Sequence, residues 1–170
     1  TKNMKLFDFQ KYGAKEMDVP SGEVFIHNIQ DDEIEGVNLD QYVGDRNVII
    51  IGIPGAFTPT CTDKHLPGFV KHEKQFYEKN VDEIVCLSVN DPHVMMAFSD
   101  YVNQDGSRIV MASDPFGEVS EQIGTLTDMG LLGQRTKRFA AIVKNGKVVD
   151  MLIDERGLDV STAENCLKNL

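Results

Sequence analysis

The sequence predicts an α/β domain, a central mixed β-sheet with helices on both faces. Three observations predict it. Two continuous apolar runs, Val48–Ile53 (VIIIGI) and Ile84–Val89 (IVCLSV), read as strands covered on both sides. Segments with helical spacing fall between the strand-like runs, the order expected of a layered α/β sheet. Asn145-Gly146 separates the apolar runs Phe139–Val143 and Lys147–Ile153, a strong hairpin signal that adds antiparallel pairing and makes the sheet mixed.

Each element has its own signal. Glu23–His27 roughly alternates apolar with polar, as a half-buried strand does, and Ile109–Ala112 is a shorter apolar run. Asp63–Lys79 carries Leu66, Phe69, Val70, Phe76 and Tyr77 at helical spacings, with Pro67-Gly68 expected to interrupt the first turns. Pro92–Val102 reads as a helix with Asp91 as its N-cap and Pro92 in the first turn. Pro115–Ile123 reads as a short helix capped by Asp114, and Ser161–Leu170 places Ala163, Cys166, Leu167 and Leu170 along one face. Residues 1–16 show weak periodicity and are read as an N-terminal extension ahead of a single domain spanning residues 17–170.

Composition narrows the function. The 170 residues carry 17 Lys+Arg against 27 Asp+Glu, a formal net charge of −10. Such a surface repels phosphate backbones and anionic lipid, so nucleic-acid and membrane roles are disfavoured. No apolar run reaches the roughly 18 residues of a membrane span. Three cysteines cannot all pair internally, which points to a reducing, intracellular compartment and at least one free thiol. That compartment is expected to be the cytoplasm, or an organelle if a targeting segment was removed ahead of Thr1.

The densest chemistry lies in VIIIGIPGAFTPTCTDKHLP, residues 48–67. A buried strand ends, Pro54-Gly55 turns the chain, and Thr58-Pro59-Thr60-Cys61 leads into a helix. Cys61 is thereby expected at a helix N-terminus on the carboxyl edge of the sheet, where α/β folds place ligands. Unpaired amides and the positive end of the helix dipole favour thiolate there. Holding a thiol as thiolate well below its ordinary range takes about 3.4 kcal/mol. The dipole supplies about 0.3–1 kcal/mol, so a second cationic partner is required. Arg46, Arg108, Arg135, Arg138 and Arg156 are the candidates, and Arg138 ranks first because it opens the apolar strand RFAAIV.

These residues carry a family resemblance. PGAFTPTCTDKHLPGF, with VCLSVNDPHVM, ASDPFGEV and RTKRFAAIVKNGKV, resembles the peroxiredoxins, specifically their type-five (plant type-II) subfamily, over roughly residues 19–170. The resemblance implies a thioredoxin-like fold and a thiol-dependent peroxidase that reduces hydrogen peroxide and alkyl hydroperoxides. It implies Cys61 as the peroxidatic cysteine, Thr58 holding the thiolate and peroxide oxygen, Pro54 shielding the site from water, and Arg138 stabilising the thiolate and orienting the peroxide. It further implies no metal or flavin cofactor, glutaredoxin (with glutathione) or thioredoxin as reducing partner, and a homodimer.

Other readings stand beside it. Cys61, His65 and His72 would share one face of an unbroken helix and offer zinc ligands, a face that Pro67-Gly68 is expected to break. His65 itself is expected at the surface or behind the reacting groups. Cys86 and Cys166 read as core residues. The subfamily's C-terminal resolving cysteine aligns with Val160, so a one-cysteine cycle with an external thiol is expected. A peroxide sensor passing oxidation from Cys61 to a partner protein shares the first step. A cysteine hydrolase lacks a third orienting residue, and a disulfide exchanger lacks Cys-x-x-Cys.

Overall fold

The structure, a computed structural model, describes residues 16–170; the extension assigned to residues 1–16 lies, but for its last residue, outside the described residues. Ten strands and five α-helices follow in chain order: β1 (Met17–Asp18), β2 (Glu23–Asn28), β3 (Glu33–Asn38), α1 (Leu39–Val43), β4 (Val48–Gly52), α2 (Leu66–Glu78), β5 (Glu83–Ser88), α3 (Pro92–Val102), β6 (Val110–Ser113), α4 (Glu118–Ile123), β7 (Leu126–Asp128), β8 (Gln134–Thr136), β9 (Arg138–Lys144), β10 (Lys147–Asp154) and α5 (Ala163–Lys168). Eight strands form one sheet in the order β1-β10-β9-β4-β5-β6-β2-β3, and β7 pairs with β8 separately.

The sheet is mixed. β4, β5 and β6 run parallel, whereas β9, β10, β2 and β3 join antiparallel. The β9–β10 hairpin turns at Asn145-Gly146, both at positive φ, the backbone such a two-residue turn demands. Alternate residues of β4 serve opposite layers, which is why its sequence is continuously apolar. Ile49 and Ile51 pack with Phe69, Phe76, Met95, Phe98 and Cys166 from α2, α3 and α5. Val48 and Ile50 pack with Leu39, Val43, Val119 and Ile123 from α1 and α4. At the end of β4, Gly52 pairs with Phe139. A Cβ on Gly52 would stand 2.0 Å from the Phe139 ring, so glycine is what lets that ring cross the strand.

Several boundaries differ from expectation. Pro67 does not interrupt its helix: the chain is helical from 59 through a π-turn at Cys61–His65 and on into α2, with Pro67 in the first turn of α2. The wide turn relieves the clash a proline ring makes with the carbonyl four residues earlier. α4 begins three residues later than expected, although Asp114 still accepts hydrogen bonds from Val119 and Ser120 N–H. Asp91 caps α3 as predicted, accepting from His93 and Val94 N–H. No helix among the described residues is long and apolar enough to cross a membrane.

Candidate active site

Cys61 sits where the sequence places it, in the first turns of a helix following β4. The chain leaves β4 through Ile53, whose N–H bonds to Leu87 O. Two side chains fix the loop that follows. Asn90, between β5 and α3, accepts the Ala56 N–H at 2.8 Å, and Arg135 reaches Pro54 O at 3.5 Å. Phe57 takes a positive φ of 65°, uncommon for a bulky residue, and its ring packs edge-on against Phe98 and Tyr101. The helix closes its first bond from Thr62 N–H to Thr58 O. The Cys61 amide therefore lies ahead of the ladder, among the donors a helix start leaves unpaired.

Arg138 is the partner of Cys61. From the first position of β9, Nη2 lies 3.3 Å from Cys61 Sγ and Nη1 lies 3.1 Å from His65 Nδ1. The side chain is almost wholly enclosed, at 7% exposure, and no carboxylate among the described residues forms an ion pair with it. A buried charge needs polar partners, and this guanidinium finds two, the Cys61 sulfur and the His65 ring nitrogen. Arg135, the other candidate near this strand, instead spends its guanidinium on the Leu132 and Pro54 carbonyls.

Of the two places expected for His65, the structure gives the one behind Arg138 and not the surface. The residue is buried at 1% exposure, with Nε2 2.8 Å from Ser161 O. A carbonyl only accepts and a guanidinium only donates, so these partners assign a neutral imidazole with its proton on Nε2. Burial, and then the charge of Arg138, push the His65 pKa down to about 4. His72 lies apart from the site, bonded to Gln75 and Glu164 on the surface. Cys61, His65 and His72 therefore do not converge on a metal. His27, Asp32 and Asp100 offer ligand atoms within 4.8 Å of one another, but both ring nitrogens of His27 are already engaged, by Ser99 and Asp32.

Thr58 gives its hydroxyl proton to Gly55 O at 2.7 Å rather than to Cys61. Its oxygen is left as an acceptor. The other thiols are free and fully buried. Burial raises the Cys86 pKa well above the ordinary thiol value, and the charge of Cys61 adds to this while Arg138 opposes it. Cys166 is pushed up to about 12, chiefly by burial and then by Asp150 and Glu164. Neither is poised as a nucleophile near neutral pH.

Sequence reasoning passed over Asp154, Ser161 and Asn90. Asn90 follows an apolar strand and precedes a capped helix, a partly buried loop position without its own pattern. Asp154 ends a strand three residues before Gly157, a spacing that suggests a turn but not a link to Cys61.

Comparison with known proteins agrees with this geometry. The redoxin family matches residues 14–167. Peroxiredoxin-2D of Arabidopsis thaliana is 37% identical over 89% of this chain and 94% of its own length. Reduced Prx3 of Vibrio vulnificus, solved in complex with hydrogen peroxide, superposes with a TM-score of 0.84 at 29% identity, covering 92% of this chain and 98% of that one. The Plasmodium falciparum antioxidant protein, a 1-Cys peroxiredoxin, gives a TM-score of 0.82 at 27% identity over 92% of this chain and 99% of that one. A helix-start cysteine facing a buried arginine, on this mixed sheet and among these relatives, identifies the chain as a member of the redoxin family and, within it, as a peroxiredoxin of the type-five, plant type-II kind, a thiol-dependent peroxidase.

Proposed function

We propose that Cys61 is the peroxidatic nucleophile and that Arg138, Thr58 and Pro54 build its site. The observation that carries this reading is the buried guanidinium of Arg138, 3.3 Å from Cys61 Sγ and unpaired with any carboxylate among the described residues. The thiolate attacks the terminal oxygen of ROOH. The S–O bond forms as the O–O bond breaks, sulfur is oxidised to Cys61–SOH, and RO⁻ departs to take a proton. Negative charge moves from sulfur to the leaving oxygen, along a path that the Arg138 fork, the Cys61 amide and the helix start stabilise together. Thr58, its proton held by Gly55 O, accepts the hydrogen of the incoming peroxide. Pro54, at the turn after β4, keeps bulk water from the sulfur.

The cycle uses one cysteine. An external thiol attacks Cys61–SOH to give a mixed disulfide and water, and a second thiol releases the enzyme. Glutathione with glutaredoxin, or thioredoxin, fits that role. The raised pKa values of Cys86 and Cys166 support it, because an internal resolving cysteine must reach its thiolate form. The chain works as a homodimer, a reading supported by the exposed Phe57 and Tyr101 rings beside the Cys61 loop; light scattering at micromolar concentration checks it.

Stopped-flow peroxide consumption by wild type and C61S tests the nucleophile, and equal rates would remove it. Non-reducing peptide mapping after one equivalent of peroxide tests the cycle. A Cys61–Cys86 or Cys61–Cys166 disulfide would overturn the one-cysteine form. Steady-state turnover with each reductant system separates the two donors.

A further inference from the structure

The Asp154 carboxylate lies at the end of β10, in register with Arg138 across the β9–β10 hairpin. It is buried at 6% exposure, and no cation pairs with it among the described residues. Its oxygens instead gather the loop that follows. Oδ2 accepts the N–H groups of Asp159 at 3.1 Å and Ser161 at 3.0 Å, and the Ser161 hydroxyl at 2.7 Å. Val160 N–H is shared between both oxygens, at 3.0 and 3.2 Å. Four donors on three consecutive residues leave this loop little freedom. Burial raises the carboxyl's pKa, and these bonds outweigh that and hold it below its ordinary value.

The clamped residue Ser161 is the one whose carbonyl accepts the His65 Nε2–H. His65 in turn accepts from Arg138, and Arg138 donates to Cys61. The connections close a ring: Arg138 to Asp154 through the strand register, Asp154 to Ser161 through two hydrogen bonds, Ser161 to His65, and His65 back to Arg138. A guanidinium on a long flexible stem has many rotamers. Here one end of its fork is tied to a ring nitrogen whose orientation is set 96 residues further along the chain. The other end is left with one direction to point.

We propose that Asp154 is a positioning residue for the peroxidase reaction: by clamping Ser161 it fixes His65, and through His65 it aims the Arg138 fork at Cys61 Sγ. The inference rests on the reading of Cys61 as the reacting thiol, which C61S tests separately. Small misplacements of a reacting or stabilising group cost on the order of 10- to 100-fold in rate, and that is the scale expected of D154N. An amide carries no charge and replaces one of the two oxygens with an NH2 donor. In the place of Oδ1 it faces the Val160 N–H instead of accepting it, and the remaining donors lose the charge that strengthens their bonds.

The test is a cycle of D154N, H65F and the double variant, with stopped-flow sulfenate formation read on each folded protein and the His65 ring observed by ¹⁵N NMR. In D154N the ring Nε2–H signal is expected to shift and exchange faster, and the rate to fall by the stated factor. The double variant is expected to be no slower than H65F alone, because Asp154 acts through His65. A folded D154N with an unchanged rate would overturn the proposal, as would losses that multiply in the double variant. Should D154N not fold, S161A decides, since it removes one bond to Asp154 and keeps the carbonyl. An unmoved His65 signal together with an unchanged rate would then overturn it.

Discussion

Arg138 Nη2 stands 3.3 Å from Cys61 Sγ, and this contact answers two needs at once. It gives an enclosed cation a polar partner, and on the proposed reading of Cys61 as the nucleophile it places a donor beside the sulfur as charge begins to move. R138A is therefore expected to slow sulfenate formation by about 10²–10³-fold, the scale of losing one preorganised donor. R138K keeps the charge but cannot serve Cys61 and His65 with a rigid fork, so it should recover only part of the rate. Stopped-flow mixing with hydrogen peroxide reads both.

His65 makes stability depend on acidity. Its pKa is pushed from an ordinary 6.5 down to about 4 by burial and by Arg138. Between those values the unfolded chain takes up a proton that the folded protein refuses. Stability is whole above about pH 6.5 and falls as the pH drops toward 4, by about 3 kcal/mol over the full window. Urea unfolding between pH 7 and 4 should show this slope in wild type and a flatter one in H65F. Asp154 acts in a lower window. Its depressed carboxyl contributes stability above its ordinary 3.8 that is lost as the pH falls through the folded value.

Gly52 is expected to tolerate no side chain. The Phe139 ring that fills its missing Cβ position is fully buried and cannot swing away. G52A should cost about 1–3 kcal/mol, the range of an overpacked core. F139L in the same protein should return part of the loss. Urea midpoints of the two single variants and the double variant measure the coupling.

Thr62 carries the one buried side-chain polar atom without a hydrogen-bond partner among the described residues. It lies in the π-turn directly after Cys61. T62V keeps the shape and removes the orphaned hydroxyl, so it is expected to stabilise the fold by about 1 kcal/mol. A lower urea midpoint would contradict this.

The elements legible in the sequence are those whose burial pattern is local. β4 and β5 are covered on both faces and read as unbroken apolar runs, and the Asn145-Gly146 hairpin announces itself through its turn. β3 does not. It is an edge strand with Glu33, Glu35 and Gly36 in six residues, and its pairing with β2 leaves one side open, so charge replaces alternation. α1 is only five residues long, too short for a helical period to emerge. The site divides in the same way. Cys61 and Thr58 are marked by a strand-turn-helix sequence, and Arg138 by opening a strand. His65 is misleading in sequence, because helical spacing pairs it with Cys61 and His72, whereas its partners come from β9 and from the loop before α5.

All three thiols are enclosed, with Cys86 on β5 and Cys166 on α5 packed in one core between sheet and helices and Cys61 at 0% exposure. A bulky disulfide reagent added to the native protein should therefore count almost no thiols, while the denatured chain shows three. The slow labelling that does occur in the native state then measures a different quantity. It is a clock for how often the turn from Cys61 to His65 opens, and the same opening sets the upper limit on how fast any protein-sized reductant can reach the sulfur.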